Sequence, residues 1–269
     1  MTGRRVLITG ASGAFGRAAT EALRGRGASV AGLDLVARDD PDAPVFAADV
    51  TDDASTADAV RRAIEHLGGL DVLVNNAGIG APLDIGTPPG ETVERFLAVN
   101  LLGPWRVTAH ALDALLATRG RVINIASRAA WVSVPLASAY AVSKRALTAY
   151  SDSLRAEYGT RLGVTTIYPA FVDTPIHEAT RAEGLRLEGV SHTESLEEVA
   201  AAIVRASEAE RPPRDLAISR GGRLQIAAGR HLPRLVDRMV ARQIRRQHAD
   251  GAFADSELAA GLRARLDEG

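Results

Sequence analysis

Three observations predict an α/β fold in which short strands alternate with helices. Short apolar, β-rich runs alternate with longer segments of helical periodicity from residue 6 onward. A glycine-rich turn joins the first run to the first helix. Several residues able to do chemistry fall directly after apolar runs, where the carboxyl ends of parallel strands gather. The chain of 269 residues is 46% hydrophobic, enough for one well-buried core. A formal net charge of -1 gives no reason to expect a nucleic-acid partner. No cysteine is present, which excludes disulfides, thiol nucleophiles and Cys-ligated zinc, and the six scattered His predict no metal site.

The first strand is Val6-Leu-Ile-Thr9, and Gly10-Ala-Ser12-Gly13-Ala14-Phe15-Gly16 then opens a helix running to Arg26. A strand, a glycine turn and a helix N-terminus bring free N–H groups close to a dinucleotide pyrophosphate. A plain Gly-rich turn is the simpler alternative. Ser29-Val-Ala-Gly-Leu33 is the second strand and ends at Asp34, 18 residues after Gly16. A carboxylate there accepts from the adenosine ribose hydroxyls and repels a 2′-phosphate, which favours NAD with NADP as the alternative. Arg38 would soften that repulsion if it folded back, and Asp34 as a solvated loop acid is the plain reading. Val45-Phe-Ala-Ala48 is the third strand, ending at Asp49-Val50, where a carboxylate meets the adenine amino group.

Asp52 to Leu67 is an amphipathic helix with Ala59, Ile64 and Leu67 inward, and Leu70 to Val74 leads into Asn75-Asn76-Ala77-Gly78. Glu91 to Gly103 is predicted as a helix containing Asn100, with Trp105 packing in the next helix. Arg121 to Ala126 is a buried strand that ends at Ser127. In Tyr140-Ala-Val-Ser-Lys144, the spacing of i and i+4 puts the phenol and the ammonium on one helix face. An unperturbed phenol has a pKa of about 10, and a nearby cation lowers it toward the working range of a general acid–base group. The Ser127 hydroxyl then bonds the substrate oxygen that Tyr140 protonates or deprotonates. Trp131 and Val132 follow in the loop before Tyr140, as pocket wall or as core.

Thr9-Gly10 with its glycine turn, Asn75 to Gly78, Asn100, Ser127, Tyr140, Lys144 and Pro169 resemble, in order and spacing, the short-chain dehydrogenase/reductase family over about residues 4 to 220. The resemblance implies a Rossmann-type, doubly wound parallel β-sheet with helices on both faces, a nicotinamide cofactor, and hydride transfer between a secondary alcohol and a ketone. It implies that Asn76, Ala77 and Gly78 lie under the adenine ribose, and that Lys144 also bonds the nicotinamide ribose. It further implies that Asn100 interrupts a long helix and holds a water touching Lys144, where a capping or kink-stabilising Asn without chemistry is the plain alternative, that the Val172 backbone bonds the carboxamide, and that Thr174 supports it. Two departures stand out. The single-domain branch spaces its turn T-G-x-x-x-G-x-G, whereas here Ala14 takes the middle position and Gly13 precedes it; and Ala170 replaces the usual Gly after Pro169. The spacing is similar to the extended branch, but a chain of 269 residues leaves little room for that branch's substrate domain.

Gly163 to Tyr168 is the sixth strand. Ile176 to Thr193, with weak periodicity, reads as a lid over the substrate. Ser195-Leu-Glu-Glu198 is a capping box opening a helix to Glu208, and Asp215 to Ser219 forms the last strand. Residues 1–220 are expected to form the cofactor-binding and catalytic domain, and 221–269 a C-terminal helical extension. There Leu232, Leu235, Val236, Met239, Val240 and Ile244 form an apolar stripe, with Arg230, Arg234, Arg238, Arg242, Arg245 and Arg246 opposite. Such a helix suits an anionic membrane surface, but packing on its own domain or in a homodimer or homotetramer is preferred. The first strand starts too early for a secretory signal to precede it, and no apolar stretch spans a bilayer, so a cytoplasmic protein is expected. Alternatives to an NAD-dependent dehydrogenase of an apolar small molecule are an NADPH-dependent carbonyl reductase of acyl or polyketide-type substrates and a low-turnover nucleotide-binding regulator.

Overall fold

The computed structural model describes residues 1–183 and 193–268. Its order is β1 (Arg5–Thr9), α1 (Ala14–Arg24), β2 (Ser29–Asp34), β3 (Val45–Ala47), α2 (Asp53–Leu67), β4 (Val72–Asn75), α3 (Glu91–Leu97) and α4 (Gly103–Ala117). There follow β5 (Arg121–Ile125), α5 (Ser138–Tyr158), β6 (Gly163–Tyr168), α6 (Glu178–Ala182), α7 (Leu196–Glu208), β7 (Asp215–Ala217), α8 (Arg220–His231), α9 (Pro233–Ala249) and α10 (Ala260–Asp267). Among the described residues the strands form a seven-stranded sheet in the order β3-β2-β1-β4-β5-β6-β7, every neighbouring pair parallel. The order reverses between β1 and β4, and a crevice forms at the carboxyl ends around such a switch point.

Alternation along the strands divides the core in two. Leu7, Leu73 and Val122 face α2, α4 and α5, whereas Val6, Ile8, Val72, Val74 and Ile123 face α1 and α7. The caps follow from side-chain chemistry. Asp52 accepts from Ser55 N at 2.6 Å to start α2, and Gly68 ends it with φ at 70°. Ser195 and Glu198 form the reciprocal capping box at α7. The lid expected over Ile176 to Thr193 begins with a 3₁₀ turn, Pro175–His177, and α6; residues 184–192 of it lie outside the described residues.

The helix from Glu91 is interrupted at Asn100, as the resemblance implies: Ala98–Leu102 widens to π-helix around this fully buried residue. Three local expectations need correction. Trp105 belongs to α4 but is 54% exposed and stacks on Tyr150 with ring centroids 4.9 Å apart. Leu232 stands at the break between α8 and α9, so the apolar stripe is interrupted there. Arg230 does not share the basic face of α9; it lies on α8 and pairs with Asp215 at 2.7 Å.

The tail helices are tied down at three places. Arg230 binds Asp215 at the sheet's last strand. Phe253 and Ala259 pack with Leu136 in a small cluster that Ile244 joins. Arg265 on α10 reaches Asp84 in the loop after β4 at 2.5 Å.

Candidate active site

A cavity of about 1220 Å³ runs along the carboxyl ends of the strands. Small-molecule pockets measure about 300–1,000 Å³, so this one has room for a cofactor and a substrate together. Ser127, Tyr140, Lys144 and nearly all the residues predicted to bind cofactor line it; Gly16 and Asn100 stand behind its wall.

At the cofactor end, Gly10 has φ at 65°, and a Cβ there would sit 2.9 Å from Ala77 Cα. A side chain at Gly16 would collide with the Gly10 carbonyl oxygen and the Ala11 backbone. Gly13 has ordinary extended dihedrals as the N-cap of α1. Steric need for glycine therefore falls on the first and last positions of the turn, and Ala14 at the middle one is accommodated. The N-terminus of α1 has no side-chain cap and no acidic residue in its first turn, so its N–H groups and positive dipole end remain available to a pyrophosphate. The residues present thus fit a dinucleotide.

Asp34 lines the same cavity, its carboxylate accepting from Ser12 N and from Leu35 N, each at 2.8 Å. Arg38 does not fold back onto it; its guanidinium lies 4.0 Å from Asp40. Arg17, which the sequence reading passed over, lines the cavity and donates to the Ser12 carbonyl. Asp49 accepts from the Thr51 hydroxyl at 2.7 Å and the Thr51 amide at 2.8 Å, bonds that hold its pKa below the usual carboxylate range. Thr9 Oγ1 accepts from the Asn76 and Ala77 amides, both at 3.0 Å, while Asn76 Nδ2 donates to Thr9 O and Gly10 O. These bonds join the β1 and β4 ends at the switch point. Thr174 Oγ1 donates to Val172 O at 3.3 Å beneath the opposite end of the cavity.

The chemistry gathers midway. Ser127 follows β5, and its hydroxyl lies close enough to the Tyr140 phenol to act on its pKa. Lys144, one turn along α5, is 4% exposed and donates to Ile125 O at 2.9 Å. Burial lowers its pKa to about 8. The expected depression of the phenol pKa is absent here: burial raises the Tyr140 pKa, the Ser127 hydroxyl opposes it, and the ammonium stands 5.7 Å from the ring centroid. The cation is turned toward a backbone carbonyl, so it does little for the phenolate. Asn100 Oδ1 accepts from Ile79 N at 2.9 Å, and its Nδ2 donates to Ile79 O and to Ser143 Oγ, both at 3.0 Å. Ser143 in turn donates to Tyr140 O at 2.7 Å. Asn100 thereby clamps the loop after β4 to the helix bearing Tyr140 and Lys144. Ser143 is a link with no motif signal, because its partners are remote in sequence. A Cβ at Gly78 would lie 3.2 Å from Lys144 Nζ and 3.3 Å from Asn100 Oδ1, so glycine there leaves room for the ammonium.

A family model described as short chain dehydrogenase matches residues 4–184. The chain belongs to this family. It is an oxidoreductase acting on CH–OH groups, and membership brings a nicotinamide cofactor. Momilactone A synthase of Oryza sativa subsp. japonica is 33% identical over 232 residues, covering 77% of this chain and 85% of the relative. 11-beta-hydroxysteroid dehydrogenase A of Arachis hypogaea is 30% identical over 205 residues, covering 70% and 57% respectively. The solved structure of 3-ketoacyl-(acyl-carrier-protein) reductase from Brucella melitensis, complexed with NADH, shares the fold with a TM-score of 0.71 at 22% identity, over 81% of this chain and 98% of that one. Among the described residues no helix is long and apolar enough to cross a membrane.

The substrate end is where sequence reasoning named fewest residues. Leu136, Phe171, Ile176 and His177 line it, as do Val240 and Ile244 from α9 and Phe253 beyond it. Phe171 and His177 lie with ring centroids 4.7 Å apart, and burial keeps the His177 pKa low, so the imidazole is neutral. Val132 lines the cavity; Trp131 instead packs beneath α8, flanked by the Arg145 and Arg230 guanidiniums at 3.6 and 4.3 Å from its ring centroid. Ala170 N donates to Glu194 at 2.7 Å, and the Glu194 carboxylate lies 3.9 Å from Arg128.

Proposed function

We propose that the protein is an NAD-dependent dehydrogenase interconverting a secondary alcohol and a ketone on a bulky, mainly apolar, uncharged molecule. The observation that carries this reading is the convergence of Ser127, Tyr140 and Lys144 midway along one cavity, between an open helix N-terminus and an apolar chamber. When bound, the nicotinamide accepts or supplies the hydride. The chain handles the oxygen and its proton. Ser127 orients the substrate oxygen, and Tyr140 takes the hydroxyl proton in oxidation or returns it in reduction. Lys144 leaves the Ile125 carbonyl for the cofactor ribose and comes to bear on the phenol, while Asn100 and Ser143 hold the helix in register.

Asp34 at the cavity wall and Arg38 directed to Asp40 support NAD. Arg17 beside the phosphate turn favours the second reading, an NADPH-dependent carbonyl reductase, because it is a cation within the cavity wall. The apolar lining supports a bulky substrate, in keeping with a relative named for a hydroxysteroid. Oxidation of a panel of ring and chain secondary alcohols, with each cofactor in turn, tests the reading. Higher kcat/KM with NAD on ring alcohols is expected; turnover of none with either cofactor overturns it.

A further inference from the structure

The tail helix α9 presents one face to the cavity, and that face is not purely apolar. Val240, Gln243, Ile244 and Gln247 line the cavity with the i, i+3, i+4, i+7 spacing of a single helical stripe. Gln243 and Gln247 stand one turn apart on it, with Cβ atoms about 5–6 Å from each other. All four are partly buried. Neither glutamine side chain has a hydrogen-bond partner in the protein among the described residues, although each amide offers two donors and an acceptor. Leu136 and Phe253, both in the cavity wall, pack with Ile244 of the same stripe, and His177 in that wall has its pKa lowered by burial.

Two free, uncharged amides one turn apart in an apolar chamber suit a particular ligand chemistry. A carboxylate or phosphate would want a cation there, and Arg128 in the cavity wall already donates to Gln225 at 2.8 Å and faces Glu194. A pure hydrocarbon would leave both amides desolvated without compensation, which is unfavourable. A hydroxyl or carbonyl on the far side of the substrate satisfies them. We propose that Gln243 and Gln247 are specificity-determining residues that read a second, uncharged oxygen function on the substrate, remote from the carbon that reacts at Tyr140. This rests on the dehydrogenase reading and deepens it. The residues lie beyond the segment, 4–184, matched by the family model, so the recognition belongs to this chain's own tail.

The test uses the full-length chain with cofactor and a double variant, Gln243→Met with Gln247→Met. Methionine keeps size and helix propensity while removing the amide. The probes are rigid polycyclic ketones in matched pairs, differing only by a hydroxyl on the ring farthest from the ketone. Native protein is expected to favour the hydroxylated member by about tenfold in kcat/KM, the size of one or two hydrogen bonds that the analogue leaves unmade. In the double variant the ratio should fall to about one, because the plain ketone no longer desolvates two amides and the hydroxylated one no longer gains a partner. Calorimetric binding of the same pairs, which needs no turnover, separates the two claims. A binding preference lost in the variant, without turnover of any ketone, upholds the glutamines and overturns the dehydrogenase reading. Turnover with no preference in any pair, or with a preference that survives in the variant, overturns the glutamine assignment alone. Neither binding nor turnover overturns both.

Discussion

Tyr140 and Lys144 are one turn apart on α5, yet without cofactor their charges are not coupled, because the ammonium is spent on Ile125 O. Replacing Tyr140 by Phe is expected to lower turnover by at least about 100-fold while cofactor affinity, measured by fluorescence titration, stays near native. Since burial holds the phenol pKa up in the free enzyme, kcat/KM for oxidation should rise with pH and that for reduction should fall. Lys144 itself carries a stability consequence. Its pKa is about 8 when folded and 10.5 ordinarily, so between those values the unfolded chain binds the extra proton and stability rises with pH. Below pH 8 the full burial penalty applies, up to about 3 kcal/mol, less what the Ile125 bond returns. Lys144→Met should therefore stabilise the cofactor-free protein by about 2 kcal/mol at pH 7 and by almost nothing above pH 10.5. Denaturant unfolding at the two pH values decides it; a difference that does not change with pH removes the argument.

At the scale of the element, α8 determines where the tail goes. A Cβ at Gly229 would lie 2.5 Å from Trp131 O, and one at Gly222 would lie 3.5 Å from Arg128 Cδ, so the helix rests directly on the turn after Ser127. Arg230 fixes it there through both Asp215 oxygens, at 2.7 and 3.1 Å, and through the Trp131 ring. Arg230→Ala is expected to cost about 2 kcal/mol, because it leaves a half-buried carboxylate short of its charged partner. KM for substrate should rise several-fold as α9 loses its mooring, with Kd for cofactor unchanged; thermal unfolding and steady-state kinetics measure the two parts. Burial pushes the Asp215 pKa up, but bonds from Arg230 and Tyr168 outweigh it and hold the value below 3.8. The anchor is accordingly complete above that pH and is lost as pH falls through the lowered value.

For the whole molecule, the tail stripe divides. Val240 and Ile244 turn to the cavity, while Leu232, Leu235 and Met239 are 55%, 50% and 61% exposed. Truncation after His231 removes α9, α10 and the Phe253–Ala259 cluster, uncovering Leu136 and the apolar chamber. The truncated protein should bind a hydrophobic dye more strongly and show KM raised at least about tenfold for bulky substrates, while cofactor affinity is retained. An unchanged substrate profile would mean that α9 is no part of the pocket. Salt-sensitive co-sedimentation of the intact chain with anionic vesicles separately tests the membrane-surface alternative for the exposed half.

What the sequence determined by itself are features set by short-range periodicity and fixed spacing. The seven strands alternate or run apolar, glycine marks the turn, and chemistry-bearing residues follow strand ends, so the fold and many of the cavity's residues from Gly10 to Thr174 were legible, while Arg17, Leu136 and Phe171 carry no such signal. Even the departure at Ala14 is explained locally, since a Cβ at Gly10 or Gly16 would come within 3.0 Å of backbone, whereas one at Gly13 would stand 3.3 Å from the Gly10 carbonyl oxygen. Tertiary structure alone decided the rest. Asn100 binds Ile79 and Ser143, Arg38 leaves Asp34 for Asp40, and Lys144 turns to Ile125, choices that no one segment encodes. The helical period placed α9's apolar residues on a stripe, but which part meets the cavity depends on how Gly229 and Arg230 seat α8 against Trp131. Gln243 and Gln247 line the cavity and Leu235 and Met239 stay outside, because contacts far apart in sequence hold the tail: Arg230 on Asp215, Phe253 and Ile244 on Leu136, and Arg265 on Asp84.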